Sequence, residues 1–244
     1  MASCSRQAWT AAAARASAAL ILSTLWLAPV RASDGEPVTV SGTVLVSDRD
    51  RAALDKSGVV VWLTPLDAPA PPTPQRLKIV QHGKKFEPRV LVAPVRSSVE
   101  FPNLDPFLHN VFSLFDGKRF DLGLYEAGTS RSVTLSREGV CYVFCNIHPE
   151  MSAVIVVVGS TLFAQTDRGG MFSIPGVPPG RYTVTVWHDR FKPEATGNVS
   201  RDIVVSASAS TVPPIRLAET TRIAPPHRNK FGHDYTPPPS ILYP

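Results

Sequence analysis

Val140-Cys141-Tyr142-Val143-Phe144-Cys145-Asn146-Ile147-His148-Pro149-Glu150-Met151 says most about how this chain is built. Its first half is β-branched and aromatic, the composition that suits a pleated, half-buried strand. Its second half brings a thiol, an imidazole and a thioether together on one short loop, from Cys145 to Met151. Four steps along an extended strand cover about 13 Å, whereas a disulfide needs Cα atoms within about 7 Å. Cys141 and Cys145 are therefore expected to remain unpaired, Cys141 as a small buried residue on the face of Val143 and Cys145 as a thiol open to other chemistry.

Outward from this stretch the texture is that of an all-β chain, with short Val, Thr and Ile runs punctuated by 24 prolines and 15 glycines and no sustained helical periodicity after the first residues. Strands are predicted at 38–46 and 58–63. A Pro-rich link, Asp67-Ala68-Pro69-Ala70-Pro71-Pro72-Thr73-Pro74, cannot enter a central strand and marks a boundary. A block of seven strands follows at 76–81, 89–92, 98–101, 110–114, 130–135, 140–145 and 153–158, the spacing of a sandwich or barrel. A further block lies at 161–165, 170–174, 182–187, 201–205 and 212–217. Residues 219–244 carry six prolines and read as an extended tail.

Arg6 and Arg15 precede an apolar run from Ala16 to Leu27, and Val30-Arg31-Ala32 offers a cleavage point, so residues 1–32 read as a signal peptide cut near Ala32. The apolar run is short of the roughly 18 to 20 residues of a spanning helix. No later segment is long and apolar enough either. The chain is expected in the periplasm or outside the cell, with no membrane span once the signal is removed. Cleavage takes away three of the 25 basic residues and no acid, leaving 22 against 20. That near-balance, without clustered Lys and Arg among aromatics, excludes nucleic acid as a partner.

Two imidazoles (His109, His148), one thiolate (Cys145) and one weak thioether (Met151) form a soft donor set that favours copper over magnesium, calcium or manganese, and it is the set used by blue-copper electron-transfer sites. Zinc normally takes four strong ligands, and a thioether is not one of them. His82, in the turn His82-Gly83-Lys84-Lys85, is expected to be solvated, and His188, beside Trp187 and Asp189, to bond locally. His227 and His233 fall in the tail.

The stretch 75–158 resembles the cupredoxins, the plastocyanin- and amicyanin-like blue copper domains. The matching residues are Phe86-Glu87-Pro88, Val99-Glu100-Phe101-Pro102-Asn103, His109-Asn110-Val111 and Gly139 ahead of the Cys145 strand, with the ligand loop C-x-x-H-x-x-M carrying Pro149 after His148. The resemblance implies a Greek-key β-sandwich holding one type 1 copper ion, with His109, Cys145 and His148 as equatorial ligands and Met151 as the long axial one. It implies that Asn110 holds two loops together while its backbone amide donates to the Cys145 sulfur, and that electrons pass at an exposed ring edge of His148. Glu150 departs from the apolar residue an amicyanin-like loop would place there.

Val40-Ser41-Gly42-Thr43-Val44, Val59-Val60-Val61-Trp62-Leu63, Thr166-Asp167-Arg168-Gly169-Gly170-Met171-Phe172 and Pro178-Pro179-Gly180-Arg181-Tyr182 resemble the two halves of a carboxypeptidase regulatory-like domain, a transthyretin-like sandwich. The expected organisation is such a sandwich from residues 38–66 and 160–218 with the cupredoxin domain inserted, since loop tips accept domains whose ends lie close together. The expected function is single-electron transfer with a redox partner that docks transiently. The alternatives are copper trafficking with the same soft ligands, or a non-redox β-sandwich binding module. An enzyme is not expected, because a substrate site on a second metal needs donors beyond these four.

Overall fold

From Ser152 to Val158 nearly every side chain is withdrawn from water, so this strand has protein on both faces, and that fact sets the layering of the molecule. The computed structural model describes residues 35–47, 56–67, 71–114, 119–189, 199–218 and 228–235. The expected signal peptide at 1–32 lies outside the described residues, as do Ala68 to Ala70 of the Pro-rich link and His227.

The strands run β1 (Val38–Ser47), β2 (Val60–Pro65), β3 (Arg76–Lys78), β4 (Val80–His82), β5 (Lys85–Glu87) and β6 (Val90–Pro94). They continue with β7 (Ser98–Pro102), β8 (His109–Ser113), β9 (Phe120–Tyr125), β10 (Ser130–Thr134), β11 (Gly139–Phe144) and β12 (Ser152–Val158). The last are β13 (Phe163–Gln165), β14 (Met171–Val177), β15 (Gly180–Trp187), β16 (Val199–Val205) and β17 (Thr211–Ala218). The fold is all-β, as the sequence reads, and among the described residues no helix is long and apolar enough to cross a membrane.

One sandwich pairs the sheet β14-β1-β17 with the sheet β13-β2-β15-β16. Between them lie Val40 and Val44 of β1, Val61 and Leu63 of β2, Phe172 and Ile174 of β14, and Val184 and Val186 of β15. The other sandwich pairs β10-β7-β3 with the five-stranded sheet β6-β12-β11-β8-β9, and β4-β5 forms a small hairpin beside them. Its core holds Val99 and Phe101 of β7, Val111 of β8, Cys141 and Val143 of β11, and Ala153, Ile155 and Val157 of β12. Among the described residues, strands β1 and β2 pair only with strands that follow residue 160, while β3 to β12 pair among themselves.

Period-2 alternation then explains the continuous apolar run in β12. Ala153, Ile155 and Val157 face their own core, whereas Val154, Val156 and Val158 face Val60 of β2 and Trp187 of β15, together with Val92 of β6. Burying a Val-sized side chain favours the folded state by roughly 1.5–3 kcal/mol, so the second face of β12 joins the two sandwiches through an apolar contact. Arg89 and Asp189 form an ion pair between the two sandwiches.

Three differences from the sequence reading have physical causes. The run 76–81 is two strands, because β3 pairs in parallel with β7 and β4 turns away to pair with β5. Strand β5 was not expected, being only three residues long. Strand β9 was not expected either: Gly123 sits in it at φ +72°, a conformation that breaks strand patterning and that glycine adopts without steric cost.

Candidate metal centre

The hairpin between β11 and β12 is the seven-residue loop 145–151, and its ends are drawn together by the last ladder pair, Phe144 with Ser152. Inside the loop the Cys145 N–H donates to the Met151 carbonyl at 3.3 Å, and the Met151 N–H donates to the His148 carbonyl at 3.1 Å. These bonds curl the loop so that Cys145, His148 and Met151 share one end of the sandwich. His109 opens β8, which pairs with β11 through Phe112 and Phe144. A residue at the start of β8 thus reaches the end at which β11 finishes.

The three nitrogen and sulfur atoms form a closed triangle. Cys145 Sγ lies 3.8 Å from His109 Nδ1 and 3.6 Å from His148 Nδ1, and the two ring nitrogens are 3.1 Å apart. The point equidistant from corners so spaced lies inside the triangle, about 2.0 Å from each, the range of first-row metal bonds to imidazole, with bonds to thiolate slightly longer at about 2.3 Å. The donor set would suit a soft or borderline ion. Among the described residues this is the one group of three or more His, Cys, Asp or Glu side chains so placed, and all three are buried. Met151 is fully buried within the same core cluster as Cys145. Among the described residues Cys141 and Cys145 form no disulfide, and both are buried.

Burial pushes the Cys145 thiol above its ordinary range, and backbone N–H groups of Asn110, Ile147 and His148 oppose that by donating to the sulfur. Such donors favour a thiolate once a cation compensates its charge. Burial holds the His148 imidazole below its usual value, and the neighbouring His109 and Lys84 act in the same direction. A neutral imidazole is the form that offers a lone pair.

The residues around the triangle were mostly not legible in the sequence. Asp105 Oδ2 lies 2.8 Å from His109 Nε2. A carboxylate there fixes the proton on Nε2 and leaves the Nδ1 lone pair facing the other two donors. Asp105 is in turn held by the N–H groups of Gly83 at 2.6 Å and Lys84 at 2.9 Å, both in the β4–β5 turn. Asn103 shapes the intervening loop: its side-chain oxygen accepts from the Asp105 N–H and its amide donates to the Phe107 carbonyl. Phe107 is thereby placed against both imidazoles, with ring centroids 5.2 Å from His109 and 5.6 Å from His148. His148 is only 7% exposed. Little of its ring is left open to water, and Phe107 packs beside it. The one available signal was the Asp105-to-His109 spacing, and it is weak without a fold.

Asn110 donates through Nδ2 to Asp121 Oδ1 at 2.8 Å, tying β8 to β9. Glu150 is exposed at the loop tip. Of the remaining histidines, His82 is largely solvated, 3.9 Å from Asp105, and His188 is buried beside Asp189 at 3.3 Å. Residues 228–235, read as part of an extended tail, form a turn that lies against the loop: the Lys230 N–H donates to Asn146 Oδ1 at 2.9 Å and the Tyr235 hydroxyl to the Cys145 carbonyl at 2.7 Å.

Residues 149–217 match the carboxypeptidase regulatory-like domain. That match spans β12 to β17 and leaves out β1 and β2, although both pair with strands inside it. No curated protein sequence matches the chain. Among solved structures, a purple cupredoxin from Nitrosopumilus maritimus is 23% identical over 34% of this chain and 99% of its own, with a TM-score of 0.31. A Cu-containing nitrite reductase from Thermus scotoductus SA-01 is 27% identical over 39% of this chain and 25% of its own, with a TM-score of 0.33. An oxidised amicyanin variant is 21% identical over 34% of this chain and 82% of its own, with a TM-score of 0.33.

Proposed function

We propose that this chain is an exported type 1 copper protein that carries single electrons between redox partners and is not itself an enzyme. The observation that supports this reading is the triangle of Cys145 Sγ, His109 Nδ1 and His148 Nδ1, whose centre lies about 2.0 Å from each corner, the length of a metal–imidazole bond. Met151, buried on the same loop, is the proposed fourth and weaker donor. His109, His148 and Cys145, with Met151 as the weaker donor, would hold copper in a set that Cu(II) and Cu(I) can share, and copper bound there would supply one-electron chemistry with little rearrangement.

The protein's part is to hold the donors still. Asp105 orients His109, three backbone amides face the Cys145 sulfur, and the paired strands β8 and β11 fix the two ends of the site. The exposed Leu104 and Leu108 flank Phe107, an apolar surface suited to a small, transient interface with a redox partner. Export is proposed on the signal-like segment at 1–32.

The test is the visible absorption and EPR spectrum of the copper-loaded mature chain beside Cys145→Ser. An intense thiolate-to-copper band in the wild type, absent from the variant, is expected. Tight Cu(I) binding without that band on oxidation would favour copper trafficking, and an identical spectrum in both proteins would remove Cys145 from the site.

A further inference from the structure

The last strand, β17, ends at Ala218, yet residues 228–235 are folded against the metal centre. Asn229 organises this segment. Its side-chain oxygen accepts the N–H groups of Phe231 and His233, each at 3.0 Å, and its backbone N–H donates to the His233 carbonyl at 2.9 Å. The resulting turn presents Lys230 and Tyr235 to the sandwich, some 80 to 110 positions along the chain from the residues they meet.

Both residues act on Cys145 by separate routes. The Tyr235 hydroxyl donates to the Cys145 carbonyl at 2.7 Å. Lys230 Nζ reaches Asp121 Oδ2 at 2.6 Å, Asp121 Oδ1 accepts from the Asn110 side chain, and the Asn110 backbone N–H faces the Cys145 sulfur. The Lys230 N–H also holds Asn146, the residue after Cys145. Three of the four candidate donors lie on this one loop, and of its two internal backbone bonds the one that closes it, from the Cys145 N–H to the Met151 carbonyl, is long at 3.3 Å.

We propose that residues 228–235 are a clamp on the Cys145–Asn146 corner, controlling how readily the ligand loop opens and therefore how fast a metal ion enters or leaves. The metal half of this proposal rests on the copper reading above; the restraint on Cys145 does not. The free energy of opening a loop locally rises with the bonds that hold it shut, and such opening does not require the domain to unfold.

The experiment uses the full mature chain with Tyr235→Phe, Lys230→Met and the double variant, and Tyr182→Phe as a control that loses a comparable hydroxyl bond, to the Pro178 carbonyl, in the other sandwich. The metal-free proteins are alkylated with iodoacetamide under native conditions, and the rates at Cys145 and Cys141 are read separately by peptide mass spectrometry. Each single change is expected to raise the Cys145 rate about fivefold and the double change by about tenfold or more, the factors set by losing one or two hydrogen bonds. Cys141, enclosed in β11, stays slow, and the control stays at the wild-type rate. Copper release to an excess of chelator is expected to accelerate in step. A double variant alkylated at the wild-type rate overturns the clamp, as does an equal rise at Cys141 and Cys145, which would mean general unfolding. A colourless wild type with the selective acceleration intact would remove the copper reading and leave the clamp standing. A blue wild type with no acceleration would do the reverse.

Discussion

Asp105 places a carboxylate oxygen 2.8 Å from Nε2 of His109, with both side chains withdrawn from water. That contact decides which imidazole nitrogen is free. Replacing Asp105 with Asn keeps the shape and one acceptor but removes the charge that fixes the tautomer, and it sets an amide against the Gly83 and Lys84 N–H groups that now converge on the carboxylate. Changes to such supporting partners typically weaken metal binding by about 10- to 100-fold. Asp105→Asn is expected to fall in that range in a copper titration against a competing chelator, and wild-type affinity in the variant would show that the contact does not orient His109.

Phe107 touches both imidazoles. Its truncation to Ala is expected to uncover His148, measurable as faster acylation of that ring by diethylpyrocarbonate in the metal-free protein. The lost packing of a half-buried aromatic should also lower stability by about 1–3 kcal/mol in denaturant unfolding. An unaltered acylation rate would mean that other atoms cover the ring.

The contrast between these residues and the His109, Cys145 and His148 cluster shows what a sequence can display. Cys145 and His148 sit on one hairpin loop, so their convergence follows from strand–turn–strand pattern alone, and His109 needed only that its strand neighbour β11. The run of β12 likewise shows its burial directly, because apolar side chains on both faces leave no alternation. Asp105, Phe107 and Asp121 were hidden for a different reason. Each acts through a side chain aimed across a gap that only tertiary packing closes, and Asp121 lies on β9, whose pattern Gly123 interrupts. Residues 228–235 fall in a segment that reads as an extended tail because it is rich in proline. Their order comes from Asn229 folding the backbone on itself and from partners far away in the chain, and composition carries neither.

Asp121 makes acid sensitivity of the β9 edge measurable. Burial opposes its ionised form, but hydrogen bonds from Lys230, Asn110 and the Gly123 N–H, with the attraction of Lys230, outweigh burial and hold the carboxyl below its usual range. A group whose folded pKa lies below its unfolded value, ordinarily about 3.9, stabilises fully above that unfolded value and loses its contribution as pH falls through the folded one. The expected result is a thermal midpoint difference between wild type and Asp121→Asn that is constant from neutral pH down to about 5 and shrinks below about 4. Parallel curves over the whole acid range would show that Asp121 titrates alike in both states.

Trp187 closes the seam between the two sandwiches. It is 7% exposed and packs with Val60 from its own sandwich and with Val92, Val154, Val156 and Val158 from the other. Each sandwich also has a core of its own, so either could unfold separately if the seam were weak. Interfaces between domains usually permit such independence unless they are apolar and well filled, and this one is apolar on both sides. The wild type is therefore expected to unfold in a single calorimetric transition. Trp187→Ala removes the largest buried side chain in the seam, at a cost of about 3–5 kcal/mol where the site cannot collapse. That loss falls on the coupling rather than on either core, so the variant should show two transitions, of which the copper-loaded one shifts upward with the metal, because a ligand that binds only the folded form stabilises the part that holds it. A variant that still melts in one step, with copper raising the whole transition, would place the coupling in the covalent crossings between β2 and β3 and between β12 and β13 instead of in the seam.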